Sequence, residues 1–166
     1  MNIVLIGMMG AGKTTLGKKI ASLKNMDFID VDEYIVEKSE MSINDMFKFG
    51  EDFFREKETE AIKELSCKDN TVISCGGGVV KRKINSEILK QYGMIIYIDR
   101  PVECILKDIN AEERPLLKDG SDKLYQLYNE RKELYEKCCD YRVINDEDEE
   151  SCIIKILDIM KIENEG

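Results

Sequence analysis

The sequence predicts an α/β protein in three layers, a five-stranded parallel sheet flanked by helices, and three observations lead there. Short runs at 3–6, 71–75, 94–98 and 141–144 are apolar through most of their length and 27–32 through half of it, as suits strands of a sheet covered on both faces. Segments of helical periodicity separate them, the alternation that gives parallel strands joined by right-handed crossovers. The first run leads directly into a glycine-rich loop and then a helix. At 166 residues the chain makes one domain able to bury a core unaided, and no repeat or linker divides it.

The first strand runs into Gly7-Met8-Met9-Gly10-Ala11-Gly12-Lys13-Thr14, and apolar residues recur at helical spacing from Thr15 to Ala21. G-x-x-G-x-G-K-T between a strand and a helix is a phosphate-binding loop. Its glycines let main-chain N–H groups turn inward around an anion, and the helix N-terminus adds unpaired N–H groups and a positive dipole end. Gly10, Ala11, Gly12, Lys13, Thr14 and Thr15 are therefore expected to hold a nucleotide. Lys13 reaches the β and γ phosphates, and the Thr14 hydroxyl is placed to ligate Mg²⁺. A chance glycine-rich turn explains the letters but not their context.

The second strand, 27–32, ends in Asp30 and Asp32. Strand C-termini face the ligand crevice in such a sheet, so both carboxylates are expected beside the phosphate loop; a solvated turn and a helix N-cap is the alternative. Residues 41–65 read as helix with a buried side, opening on the capping-box-like Ser42-Ile43-Asn44-Asp45 and interrupted at Gly50. The third strand, 71–75, meets Gly76-Gly77-Gly78, which marks a place where backbone must come close to something, or else a flexible turn. Residues 82–92 are expected helical, 94–98 a central strand, and Pro101 the first residue of a helix through about 109. Periodicity is lost from 110 to 122, around Arg114-Pro115-Leu116-Leu117, and a mobile flap over the site is the expectation. Helix resumes near 123 and continues to about 139, carrying Arg131, before the last strand. The acidic run 146–150 falls where a final helix begins, and negative charge there favours the helix dipole.

A formal charge of −9 argues against general affinity for nucleic acid or acidic membranes. Positive charge must then be concentrated locally, which makes Arg55, Arg82, Arg100, Arg114, Arg131 and Arg142 informative. Histidine is absent, which removes His-based nucleophile designs and zinc sites. Six cysteines without a C-x-x-C pair read as reduced thiols. With no basic leader and no apolar run of spanning length, a cytoplasmic protein is expected.

The motif series resembles the shikimate kinase family. It comprises Gly7 to Thr14, the pair Asp30 and Asp32, G-E-x-x-F-R-x-x-E from Gly50 to Glu58, Gly76 to Gly78, Arg114 to Leu117, and R-x-x-L-Y at Arg131, Leu134 and Tyr135. The resemblance covers nearly the whole chain in order. It implies a nucleoside-monophosphate-kinase-like fold with strand order 2-3-1-4-5, a shikimate-binding segment at about 32–60, a lid at about 110–122, and usually a monomer. It also implies ATP-dependent phosphorylation of the 3-hydroxyl of shikimate. By the same resemblance Asp32 orients or deprotonates the acceptor hydroxyl, Arg55 and Arg131 bind the carboxylate, and Gly76, Gly77 and Gly78 offer backbone N–H groups. Asp30 serves Mg²⁺ with Thr14, and Ser74 assists through water. Arg114 reaches the transferred phosphate, and Lys107 stands where many members place an arginine against adenine. Guanidinium forks suit a carboxylate, although either arginine taken alone reads better as a helix-surface salt bridge. A gluconate or nucleoside-monophosphate kinase, or a nucleotide-binding protein without turnover, are the competing readings.

Overall fold

In the computed structural model, which describes the backbone of residues 1–112 and 117–166 and the side chains of 1–109 and 120–166, β1 (Asn2–Ile6) is the centre of the sheet. It pairs in parallel with β3 (Thr71–Ser74) on one side and β4 (Gly93–Asp99) on the other. The edges are β2 (Asp27–Asp30) beside β3 and β5 (Tyr141–Ile144) beside β4, also parallel. The order β2-β3-β1-β4-β5 is the one the resemblance implies.

Successive strand residues point to opposite faces, and both faces are apolar. Ile3 and Leu5 of β1 with Ile96 and Ile98 of β4 pack on Leu16 and Ile20 of α1 (Lys13–Lys24) and Ile156 of α8 (Glu149–Glu165). Val4 and Ile6 with Ile95 and Tyr97 face the other layer, formed by α2 (Val31–Ser39), α3 (Ile43–Lys48), α4 (Glu51–Ser66), α5 (Lys83–Tyr92), α6 (Val102–Glu112) and α7 (Leu117–Cys138). Each such side chain taken out of water contributes about 1.5–3 kcal/mol, and the central strands carry them on both sides.

Local signals set the helix ends. The Ser42 hydroxyl accepts from the Asp45 N–H at 3.1 Å and caps α3. The Asp148 carboxylate accepts from the Ser151 N–H at 2.7 Å and caps α8, so the acidic run is structural, as its position suggested. Gly50 separates α3 from α4 at φ 105°. A Cβ there would meet nothing among the described residues, so backbone angle, not crowding, is what requires glycine.

Three expectations shift. The second strand stops at Asp30, because that carboxylate accepts from the Glu33 N–H at 3.1 Å and starts α2; Asp32 thus sits in a first helical turn. Pro101 precedes α6, which continues to Glu112. Helix α7 begins at Leu117, before the expected 123, so helix covers most of 110–122. Arg114, with the rest of 113–116 at the centre of the expected lid, lies outside the described residues.

At the N-terminal edge of the sheet, far from the strand ends that carry the motifs, Met1, Tyr92, Met94, Tyr141 and Glu163 border an open cleft of about 730 Å³. All six cysteines are described and all are free. Among the described residues no helix is long and apolar enough to cross a membrane.

Candidate active site

The C-terminal ends of β1, β2 and β3 bring the predicted groups together. From β1 the loop Gly7–Gly12 leads into α1, with Gly12 at φ 95°, a left-handed angle that a side chain would strain. Lys13 is buried, and its ammonium donates to the main-chain oxygens of Gly7 and Met8, each at 2.7 Å. It closes the loop on itself as a cation looking for anions. Burial holds its pKa down to about 8, against the pull of Asp32 and Asp30.

Thr14 donates to Asp30 at 2.8 Å, which ties the first turn of α1 to the end of β2. Asp30 therefore caps α2 and meets Thr14 at the phosphate loop at once. The two oxygens lie side by side, hard donors of the kind magnesium takes. Among the described residues no cluster of three or more His, Cys, Asp or Glu side chains could hold a metal, so these two oxygens are at most a partial ligand set.

Asp32 lies one helical step further. Its Oδ1 is buried without a hydrogen-bond partner among the described residues. Burial first, and then the neighbouring Asp30 carboxylate, push its pKa upward, opposed by Lys13 and Arg55. An unpartnered carboxylate oxygen inside a protein costs on the order of 1–3 kcal/mol or more, an outlay repaid if a hydroxyl binds there.

The glycine turn after β3 explains itself by space. A Cβ on Gly76 would come within 2.8 Å of Asp32 Oδ1, one on Gly77 within 3.3 Å of Arg131 Nη1, and one on Gly78 would collide with the Arg55 guanidinium. Three predicted groups thus crowd one turn. Arg55 is buried on α4 and donates through Nη1 to Glu58 at 2.8 Å and through Nε to Glu51 at 3.3 Å. Its other nitrogen faces Gly78. Glu58 is fully buried with Oε2 unpartnered among the described residues, and burial raises its pKa despite Arg55. The ion pair does not fully offset its own desolvation. Arg131, half-buried on α7, comes to the same turn from the opposite side.

Sequence reasoning missed the supports on the other flank. Arg100 donates to the Gly10 carbonyl at 3.0 Å and pairs with Asp108 at 2.6 Å. Asn145, just past β5, donates to the Ala11 carbonyl at 2.9 Å. Its place at a strand C-terminus was the available signal. With Thr15 and Gly12 they border a cleft of about 230 Å³. Lys107 is exposed on α6; its neighbour Asp108 borders that cleft and Lys107 does not. Ser74 is buried at the end of β3 opposite Asp30.

The chain is similar to known proteins. The family model described as shikimate kinase matches residues 9–161. A shikimate kinase of Clostridium botulinum (strain Alaska E43 / Type E3) is 50% identical over 144 residues, 87% of each chain. Among solved structures, a shikimate kinase from Acinetobacter baumannii in complex with shikimate superposes with TM-score 0.89 at 35% identity, covering 98% of this chain and 93% of that one. One from Aquifex aeolicus gives TM-score 0.84 at 35% identity, covering 100% and 99%.

Proposed function

The chain belongs to the shikimate kinase family, an ATP-dependent kinase family, and from that premise we propose that it transfers the γ-phosphate of ATP to the 3-hydroxyl of shikimate, giving shikimate 3-phosphate and ADP. The observation that carries the assignment of roles is the meeting of Asp32, Arg55 and Arg131 around the Gly76–Gly78 turn, beside Lys13.

Shikimate lies against that turn with its carboxylate between Arg55 and Arg131. Arg55 has a guanidinium nitrogen to spare on that side, and two separated forks fix a planar anion in orientation as well as place. The 3-hydroxyl then donates to Asp32, whose unpartnered oxygen and raised pKa suit it to hold a proton that must leave. Phosphoryl transfer asks a protein mainly for alignment and for charge beside the moving group. Lys13 gives up two main-chain carbonyls for the phosphates, exchanging weak partners for anions. Thr14 and Asp30 would hold Mg²⁺, Asp30 directly or through water, and Ser74 is close enough along the strand ends to assist through water. When bound, the ion neutralises charge shared between the β and γ phosphates. Arg114 is assigned to the transferred phosphate.

The nucleotide base belongs in the cleft beside Thr15 and Asn145. Its acidic rim of Asp108, Glu147 and Glu149 repels phosphate and leaves the base as the part of ATP suited to it. Lys107, which does not line that cleft, is assigned to adenine by the family resemblance alone. Free thiols throughout and a formal charge of −9 support a monomer in the reducing cytoplasm, acting on small molecules and not on nucleic acid or membrane.

The test is ADP release from ATP and Mg²⁺ with shikimate, gluconate, nucleoside monophosphates or no acceptor. Release with shikimate alone is expected; release with another acceptor would keep the phosphate site and overturn the acceptor pocket.

A further inference from the structure

Asp99 ends β4 and is 3% exposed, and no motif accounts for a carboxylate there. One of its oxygens accepts from the Tyr97 hydroxyl at 3.1 Å and the Tyr128 hydroxyl at 3.0 Å. The other accepts from Arg142, with Nε at 2.8 Å and Nη2 closer still. Four donors saturate a carboxylate, and burying one costs several kcal/mol before such partners offset it. An apolar residue would fill the same strand position without that cost.

The return is on α7. Tyr128, Arg131 and Tyr135 stand three and four residues apart, one stripe of that helix. Tyr128 is bonded to Asp99. Tyr135 stacks on Tyr97 with ring centroids 5.0 Å apart, and its hydroxyl donates to the Gly77 carbonyl at 2.5 Å. Arg131 lies between these two anchors, against the same turn. A roll of α7 by about 10° would move a group at the helix side-chain radius, about 5–6 Å, by about 1 Å, and a misplacement of about 1 Å can cost on the order of 10²-fold.

We infer that Asp99 is a positioning residue for the acceptor site: through Tyr128 and the Tyr97–Tyr135 stack it sets the roll of α7 and so aims Arg131. This rests on the reading of Arg131 as an acceptor-carboxylate fork. The test is steady-state kinetics of Asp99→Asn and Tyr128→Phe, each alone and in an Arg131→Ala background. Asp99→Asn is expected to raise KM for shikimate about 10-fold and Tyr128→Phe about 3-fold, with KM for ATP changed less than about 2-fold. Once Arg131 is gone, either change should add less than about 2-fold, because groups acting through one another are not additive.

Equal rises in both KM values, no rise for shikimate in folded variants, or an undiminished rise without Arg131 would each overturn the inference while leaving the acceptor reading intact. An Arg131→Ala enzyme with unchanged KM for shikimate would instead fail the acceptor reading, and the inference with it. If Asp99→Asn does not fold, Tyr128→Phe, which deletes one bond and keeps the ring, carries the test.

Discussion

Lys13 and Asp32 pose opposite halves of one electrostatic problem, since burial opposes the charge on each and the proposed transfer needs both charged. Lys13 is held at about 8 in the free protein, so its positive charge is present below that pH and lost above it. The kcat/KM for ATP is expected to fall as pH rises through about 8, while kcat at saturating ATP holds to higher pH because bound phosphate favours the ammonium. For Asp32 the raised pKa means the carboxylate is lost, on acidification, at a higher pH than for an ordinary aspartate. The acid limb of kcat/KM for shikimate should therefore lie above the usual aspartate range, and pH–rate profiles check both limbs. Asp32→Asn is expected to cut phosphoryl transfer by on the order of 10²–10⁴-fold with ATP affinity kept, as measured by ADP release and calorimetry. At Gly78, alanine would push into the Arg55 guanidinium, which Glu58 and Glu51 hold in place. We expect Gly78→Ala to raise KM for shikimate about 10-fold or more and to lower the melting temperature as well, because the buried Arg55–Glu58 pair must shift.

At the scale of elements, patterns that repeat along the chain were legible and those that depend on distant partners were not. The strands and their order, the break at Gly50 and the capped start of α8 follow from periodicity, local chemistry and the motif resemblance. The start of α2 at Val31 is hidden in the sequence because Val31 and Asp32 look like a continuation of the strand until the bond from the Glu33 N–H to Asp30 is seen. Asp99 and Asn145 carried no motif, since their partners Tyr128 and Ala11 are 29 and 134 positions away. Gly17 illustrates a packing constraint invisible in sequence. Alanine is the better helix former by about 1 kcal/mol, yet a Cβ at Gly17 in α1 would come within 2.6 Å of the Phe28 ring, with Leu5 close behind. Gly17→Ala is expected to destabilise by about 1–3 kcal/mol through overpacking, read as a lower midpoint in urea unfolding.

For the whole molecule, the site joins β1, β2 and β3 with α1, α4 and α7, so ligands bind elements that separate on unfolding. ATP with Mg²⁺ at about 100 times its Kd should stabilise the fold by about 2.7 kcal/mol, raising the melting temperature by roughly 5–11 °C for a chain of this size. A scan that shows no shift with ATP would contradict the nucleotide site. The phosphate loop, Asp30 and the Gly76–Gly78 turn stand at the C-terminal strand ends, whereas Met1 and Glu163 border the cleft at the other edge of the sheet. Both ends of the polypeptide therefore trail from the side that substrates never visit. A surface tether, an affinity tag or a fluorescent reporter attached at either end would leave the catalytic mouth open, so immobilised protein should turn over as freely as protein in solution.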